Sequence, residues 1–284
     1  MAISNYLSLL RLEQYYKNLI IFIALFFSGN LLNAPYLLPL SAGFIVLCLI
    51  SSVNYILNDV LDRRRDILHA EKARRPVARG AVSVKSALLF AAILLFIAAF
   101  SAYAISAEFF LAAALLFLLT SLYSLLLKNE PFIDIILISA NFVVRALGGA
   151  LIMKVWVSPW LIIGTFFLAL FLAVDKRRSE KAFLSKSAGK HRSVLDSYSD
   201  QVLSYLMNIS TTALLIAYAL YCFLGNNELL LITLPVVLYI MLKYAYSKPS
   251  LARTDPLDRL VKDWRLAMAI IFYLASSFLI IYLS

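Results

Sequence analysis

The chain has 284 residues, of which 63% are hydrophobic and only 15% charged, and its formal net charge is +10. A soluble domain is nearer half apolar and a quarter charged, so composition excludes a soluble globular enzyme and points to an integral membrane protein. The positive balance requires no nucleic-acid partner, because charge orientation across a membrane and anionic lipid account for it.

In chain order, nine apolar segments approach the roughly 20 residues needed to cross a bilayer: 18–33, 37–58, 83–105, 108–127, 131–153, 158–175, 203–224, 228–246 and 264–283. Arg11, Glu13 and Lys17 precede the first and no small-residue cleavage site follows it, so it reads as a retained membrane helix rather than a signal peptide. The connections at 33–37, 105–108 and 127–131 are short enough to predict antiparallel hairpins. The longest polar stretch, 175–201, is long enough for an amphipathic or interfacial helix and no more, so residues 1–284 read as one all-α transmembrane domain. With the N-terminus inside, every Lys and Arg falls on the cytoplasmic side except Lys154 outside and Arg145 within a span, which predicts an N-in, C-out topology. Cys48 and Cys222 lie in apolar segments and read as small buried hydrophobes, and the isolated His69 and His191 suggest no metal site.

The second segment runs directly into Asn-Asp-Val-Leu-Asp-Arg-Arg-Arg-Asp at 58–66. On a helix, Asn54, Asn58, Asp62 and Asp66 form an i, i+4, i+8, i+12 row, and Asp59, Asp62 and Asp66 an i, i+3, i+7 row on the same face. Carboxylates crowded at a membrane-helix end repel one another unless a cation joins them. Mg²⁺ prefers such carboxylate oxygens together with water and substrate phosphate. A solvated helix end paired with Arg63, Arg64 and Arg65 would suit Asp66 alone. Asn54 and Asn58 carry the stripe toward the membrane, where a solvated face has no purpose, so the segment predicts a metal–diphosphate site with Asn58, Asp59, Asp62 and Asp66 as metal ligands.

Further on, 72–80 is a donor-rich stretch with Pro76 and Gly80, predicted to be a loop in which Lys72 and Arg75 close over phosphate. Part of its charge is simple positive-inside bias. In the fifth segment Asp134, Asn141 and Arg145 lie almost in line. Arg145 near mid-span is costly unless it faces the bundle interior and is paired. The row reads either as an internal ion pair that fixes packing or as a polar wall of the same cavity. Tyr123 and Lys128 close the preceding helix, and Lys128 either lines the site or simply snorkels. Gly148 and Gly149 predict a close helix contact. Asp175, Lys176 and Arg177 end the sixth segment, and Lys17 and Asn18 begin the first. The expected topology brings all these polar groups to the cytoplasmic side.

With these residues in view, the chain resembles the UbiA superfamily of intramembrane prenyltransferases, whose first signature, N-D-x-x-D-x-x-x-D, residues 58–66 match in full. The resemblance implies a nine-helix UbiA-type bundle with a cytoplasm-facing polar cavity and a lipid-facing opening. The family's second motif, D-x-x-x-D, is broken here, since Asp175 is followed four residues on by Ser179, with Glu180 the nearest acid. That departure is similar to the decaprenyl-phosphate phosphoribosyltransferase branch, which the chain also resembles at 14–18, 51–59, 72–80, 123–124, 128–131, 145–149, Lys176, Arg177, Glu180 and 194–198. The branch implies transfer of 5-phosphoribose from phosphoribosyl diphosphate (PRPP) to a polyprenyl phosphate in the bacterial inner membrane, dependent on Mg²⁺ and feeding cell-envelope synthesis. Asp59, Asp62 and Asp66 then activate the diphosphate, and Asp134 orients the ribose or assists the acceptor. Lys17, Lys72, Arg75, Lys128, Lys176 and Arg177 meet the phosphates, with Asn54, Asn58, Tyr123 and Arg145 lining the site. Prenyl transfer to an aromatic acceptor such as 4-hydroxybenzoate keeps the fold and changes the reaction. A transporter is the reading from another class, disfavoured because no internal repeat is visible. A homo-oligomer is compatible with the sequence.

Overall fold

The structure is a computed structural model describing residues 2–68, 72–184, 193–225, 228–246 and 263–283. Among these residues the only regular structure is helical. Eight of the helices are long and apolar enough to cross a membrane, and the chain is a multi-pass membrane protein. His69, His191, Lys186, Lys190, Arg192, Lys248, Arg253, Arg259 and Lys262 lie outside the described residues.

The chain divides into two compact units, one made of Met1–Leu125 and Val144–Trp156, the other of Leu126–Val143 and Val157–Ser284. The first contains α1 (Ala2–Leu10), a 3-10 helix (Leu12–Phe22), α2 (Ile23–Phe27), α3 (Ala34–Leu61), α4 (Arg63–Asp66), α5 (Val84–Ile105) and α6 (Ala107–Leu122). It also holds the C-terminal part of α7 (Ile133–Met153). The second contains the N-terminal part of α7 with α8 (Pro159–Leu184), α9 (Asp200–Leu224), α10 (Leu234–Tyr246) and α11 (Trp264–Leu283).

The expected first span, 18–33, takes a different form. Arg11 adopts the left-handed conformation (φ 51°, ψ 55°) and the following eleven residues coil as a 3-10 helix, with only Ile23–Phe27 α-helical beyond it. Side chains three apart eclipse in a 3-10 helix, and Tyr15, Asn18 and Ile21 use this register. Tyr15 Oη lies 2.9 Å from Ser52 Oγ, Asn18 Nδ2 donates to Cys48 Sγ at 3.3 Å and to Ser51 Oγ at 3.4 Å, and Ile21 is fully buried. The segment is thus tied by polar contacts along α3 that a pure hydropathy reading does not see.

In the first unit α3 packs against α5 and α6. Ala87, Ala91, Leu94, Ala98 and Ala102 form the buried stripe of α5, and its four alanines are small residues that let helix backbones approach. Ser83 caps α5 by accepting from the Ser86 amide at 3.1 Å, and Ser106 caps α6 by accepting from Phe109 at 3.0 Å, so a single residue separates the two helices. Gly149 meets the predicted need for close contact, because a Cβ there would strike the Ile21 backbone carbonyl. At Gly148 the neighbour is only the Phe109 ring.

In the second unit α8 and α9 pack along their length around Leu170, Phe171, Val174, Leu203 and Met207. The expected span end at 175 is corrected: α8 continues unbroken to Leu184, carrying the polar residues 175–182 as helix. Ser193–Ser197 is a short 3-10 turn whose Val194 and Leu195 enter the same apolar cluster. Ser199 then caps α9 through the Val202 amide at 3.1 Å.

Candidate active site

Helix α3 ends at Leu61, and Asp62 (φ −85°, ψ 1°) leads into the single turn of α4. Backbone bonds from Asp62 to Asn58 and from Asp66 to Asp62, both 2.9 Å, keep the helical progression through this break. Asp59 and Asp66 are each only 2% exposed. They converge on one nitrogen, with Arg75 Nη1 3.1 Å from Asp59 Oδ1 and 2.6 Å from Asp66 Oδ2. Arg11 Nη2 reaches the same Asp59 Oδ1 at 2.5 Å, and its guanidinium lies over the Tyr55 ring at 4.8 Å. Arg75 is placed by the 72–80 stretch, which is a 3-10 turn (Lys72–Arg74) followed by tight turns rather than an open loop. Buried Val77 and Val82 anchor it, and Gly80 provides the positive φ of 76°.

Asp59 and Asp66 share this one nitrogen of Arg75, a residue the sequence reading assigned to substrate phosphate. Here it is the counterion of two carboxylates. Arg11 escaped that reading because 48 residues separate it from Asp59 and no local pattern links them. Asn58, directly before Asp59, and Asp62, about one turn on, are half-buried. The full Asp59–Asp62–Asp66 triad does not close, since no group of three or more His, Cys, Asp or Glu is arranged to hold a metal among the described residues. Two buried carboxylates converging on one cationic position nevertheless fit a hard divalent cation, with oxygen donors throughout, Asn58 next to Asp59 and Asp62 about one turn on.

Asn54 is buried, donates to the Ile50 carbonyl at 3.1 Å and accepts from Ser121 Oγ at 2.9 Å, which ties α3 to α6. Lys17 donates to Gln14 Oε1 and stands 5.6 Å from the Tyr16 ring centroid. Arg145 donates from Nε to Asn18 Oδ1 at 2.9 Å. Lys72 and Tyr123 are both half-buried, Tyr123 opening a π-helical turn (Tyr123–Leu127) at the end of α6.

Asp134 and Arg145, nearly in line along α7, have different partners. Asp134 is fully buried in the second unit. Its Oδ2 accepts from Arg177 Nε at 2.9 Å and its Oδ1 from the Tyr198 hydroxyl at 2.5 Å. Tyr198 Oη in turn accepts from the Phe132 amide at 2.8 Å, at a residue held at φ 67°. Arg177, 2% exposed, also donates from Nη1 to Glu180 Oε2 at 2.6 Å. Burial first, and donation to Asp134 second, push the Tyr198 phenol well above its ordinary range, so it remains a proton donor. Both Asp134 carboxylate oxygens and two sides of the Arg177 guanidinium, expected at ribose and at phosphate, carry internal hydrogen bonds in this structure. Lys176, the residue before Arg177 on α8, is exposed, and Lys128 is half-buried beyond the π-helical turn. Tyr198 was visible in the sequence only as part of a matching stretch.

The UbiA prenyltransferase family matches residues 19–281, and the chain belongs to that family. It is 28% identical over 236 residues to the decaprenyl-phosphate phosphoribosyltransferase of Mycolicibacterium smegmatis, covering 82% of this chain and 74% of that protein. The Corynebacterium glutamicum protein of the same name is 29% identical over 218 residues, covering 75% of this chain and 66% of its own length. A UbiA homolog from Archaeoglobus fulgidus, solved bound to GPP and Mg²⁺, superposes with a TM-score of 0.71 at 22% identity, covering 98% of this chain and 99% of that one. The fold is that of the family, and the chain is a transferase.

Proposed function

We propose that this transferase moves 5-phosphoribose from PRPP to a polyprenyl phosphate and releases pyrophosphate. The observation that carries the reading is the pair Asp59 and Asp66, buried and converging on one cationic nitrogen within the 58–66 signature. The names of the relatives and the broken second motif, Asp175 followed by Ser179, support the phosphoribosyl branch over ordinary prenyl transfer.

In the proposed reaction a phosphate oxygen of the lipid attacks the anomeric carbon of PRPP. The bond from that carbon to the diphosphate oxygen breaks, and its electron pair leaves with pyrophosphate. The lipid phosphate is anionic near neutral pH, so no dedicated base is needed. Asp59 and Asp66, with Asn58 next to Asp59 and Asp62 about one turn on, are the residues proposed to hold Mg²⁺. The metal's chemistry there is neutralisation of charge on the departing pyrophosphate. Lys17, Lys72, Lys128 and Lys176 are the proposed phosphate cations, and Asp134 acts as a positioning residue for Arg177 rather than on the ribose. The distribution of Lys and Arg supports a cytoplasmic N-terminus and a cytoplasmic site in a bacterial inner membrane.

The test is a donor comparison on one preparation. Purified protein in detergent with Mg²⁺ is offered labelled PRPP plus polyprenyl phosphate, or a prenyl diphosphate plus 4-hydroxybenzoate. Product from the first pair alone is expected. Product from the second pair alone would replace the proposal with aromatic prenylation.

A further inference from the structure

Asp59, Asp66, Arg75 and Arg11 form a closed charge set of two carboxylates and two guanidinium groups. Both acids are almost completely buried, while the two arginine side chains are 21% and 23% exposed. A single Arg75 nitrogen serves one oxygen of each acid, and Arg11 doubles the coverage of Asp59. Two carboxylates that approach a common point repel strongly when desolvated, and the pair is stable only with positive charge at that point. Arg75 supplies it from the tight turns that follow the 3-10 turn Lys72–Arg74, and Arg11 supplies it from its left-handed position between α1 and the 3-10 helix. Tyr55, from α3 itself, supports the Arg11 guanidinium from below.

We infer that Arg75, assisted by Arg11, is a resident counterion that competes with a divalent cation for Asp59 and Asp66. This rests on the proposed metal–diphosphate role of the two acids and adds an order of events. Metal alone must displace a guanidinium to gain the carboxylate oxygens, so its binding is weak. Metal arriving with a diphosphate brings negative charge to which the released Arg75 can turn. The site therefore favours the metal–diphosphate complex over either component, and the two acids remain neutralised between turnovers. Arg11 becomes a positioning residue of this device, acting through Asp59.

The experiment titrates Mn²⁺ into the full-length protein in detergent, without PRPP or lipid phosphate, and counts free Mn²⁺ by electron paramagnetic resonance. Wild type is expected to bind weakly and Arg75→Gln about tenfold more tightly, because a unit positive charge beside the ligands is removed. Without added divalent cation the Arg75→Gln protein is expected to melt below wild type, and Mn²⁺ should raise its melting temperature more than that of wild type. A folded Arg75→Gln protein with unchanged or weaker Mn²⁺ binding overturns the inference, as does absence of Mn²⁺ binding in both proteins. Should Arg75→Gln not fold, Arg11→Gln relieves Asp59 alone and is judged by the same criterion, with a smaller gain expected. Because no ribosyl donor is present, failure of the phosphoribosyl assignment would appear in the donor comparison and not here.

Discussion

Asp134 shows how far a buried charge can be read before its partners are known. Its row with Asn141 and Arg145 reads as an internal ion pair or as a polar wall, and in the structure Asp134 is fully buried and paired with Arg177. The partners, Arg177 at 43 residues and Tyr198 at 64 residues further along the chain, cannot be read from that position. Their geometry yields two stability predictions. Arg177→Gln removes the cation from a buried carboxylate and should cost about 3–5 kcal/mol, with Asp134→Asn partly rescuing it, measured by thermal melting in detergent. Tyr198→Phe leaves Asp134 and the Phe132 amide each short of a partner and should cost about 1–3 kcal/mol. A pH dependence follows from the raised Tyr198 phenol. The folded protein keeps a proton that the unfolded chain releases near its ordinary value of 10.0. The stabilisation is whole below that pH and declines as pH rises above it. The wild-type melting temperature should therefore fall more steeply above about pH 10 than that of Tyr198→Phe. At the acid pair, local spacing was informative because Asp59 and Asp66 lie on one helical face, whereas Arg11 comes from a distant turn and left no trace in the motif.

At the scale of elements, hydropathy located the long helices well because lipid imposes nearly the same apolar length on each. It failed where polar contacts determine conformation. The first expected span, 18–33, holds the end of an eleven-residue 3-10 helix (Leu12–Phe22) and the short α2, and Tyr15 and Asn18, three residues apart in that 3-10 helix, meet hydroxyls and a thiol along α3. The sixth segment outran its apolar stretch because Arg177, Arg178 and Lys181 find partners that make the polar turns of α8 worth extending. Arg178 Nη2 donates to the Ala245 carbonyl at 2.9 Å and Lys181 to the Tyr198 carbonyl at 2.8 Å. Gly149 tests the packing of the 3-10 helix directly. An Ala there collides with the backbone at Ile21, which cannot swing away as a side chain can. Gly149→Ala should cost about 1–3 kcal/mol or more, seen as a lower melting temperature, whereas Gly148→Ala, facing only the Phe109 ring, should be milder. Equal melting temperatures for the two variants would contradict the close approach at Ile21.

For the whole molecule, composition alone established a membrane protein, and the 58–66 motif in its helical setting pointed to the family. What neither could supply is the pairing of the acids with Arg11 and Arg75, which the structure shows as two arginines on two buried aspartates. The central claim is that these aspartates serve transfer from PRPP to a lipid phosphate. It is tested most directly by following label from the ribose of PRPP into the lipid phase, with wild-type and Asp66→Asn protein, in Mg²⁺ and in EDTA. The account predicts Mg²⁺-dependent transfer to polyprenyl phosphate that EDTA abolishes and that falls about a hundredfold or more in a folded Asp66→Asn variant. Transfer that persists in EDTA, or an Asp66→Asn protein as active as wild type, would contradict it.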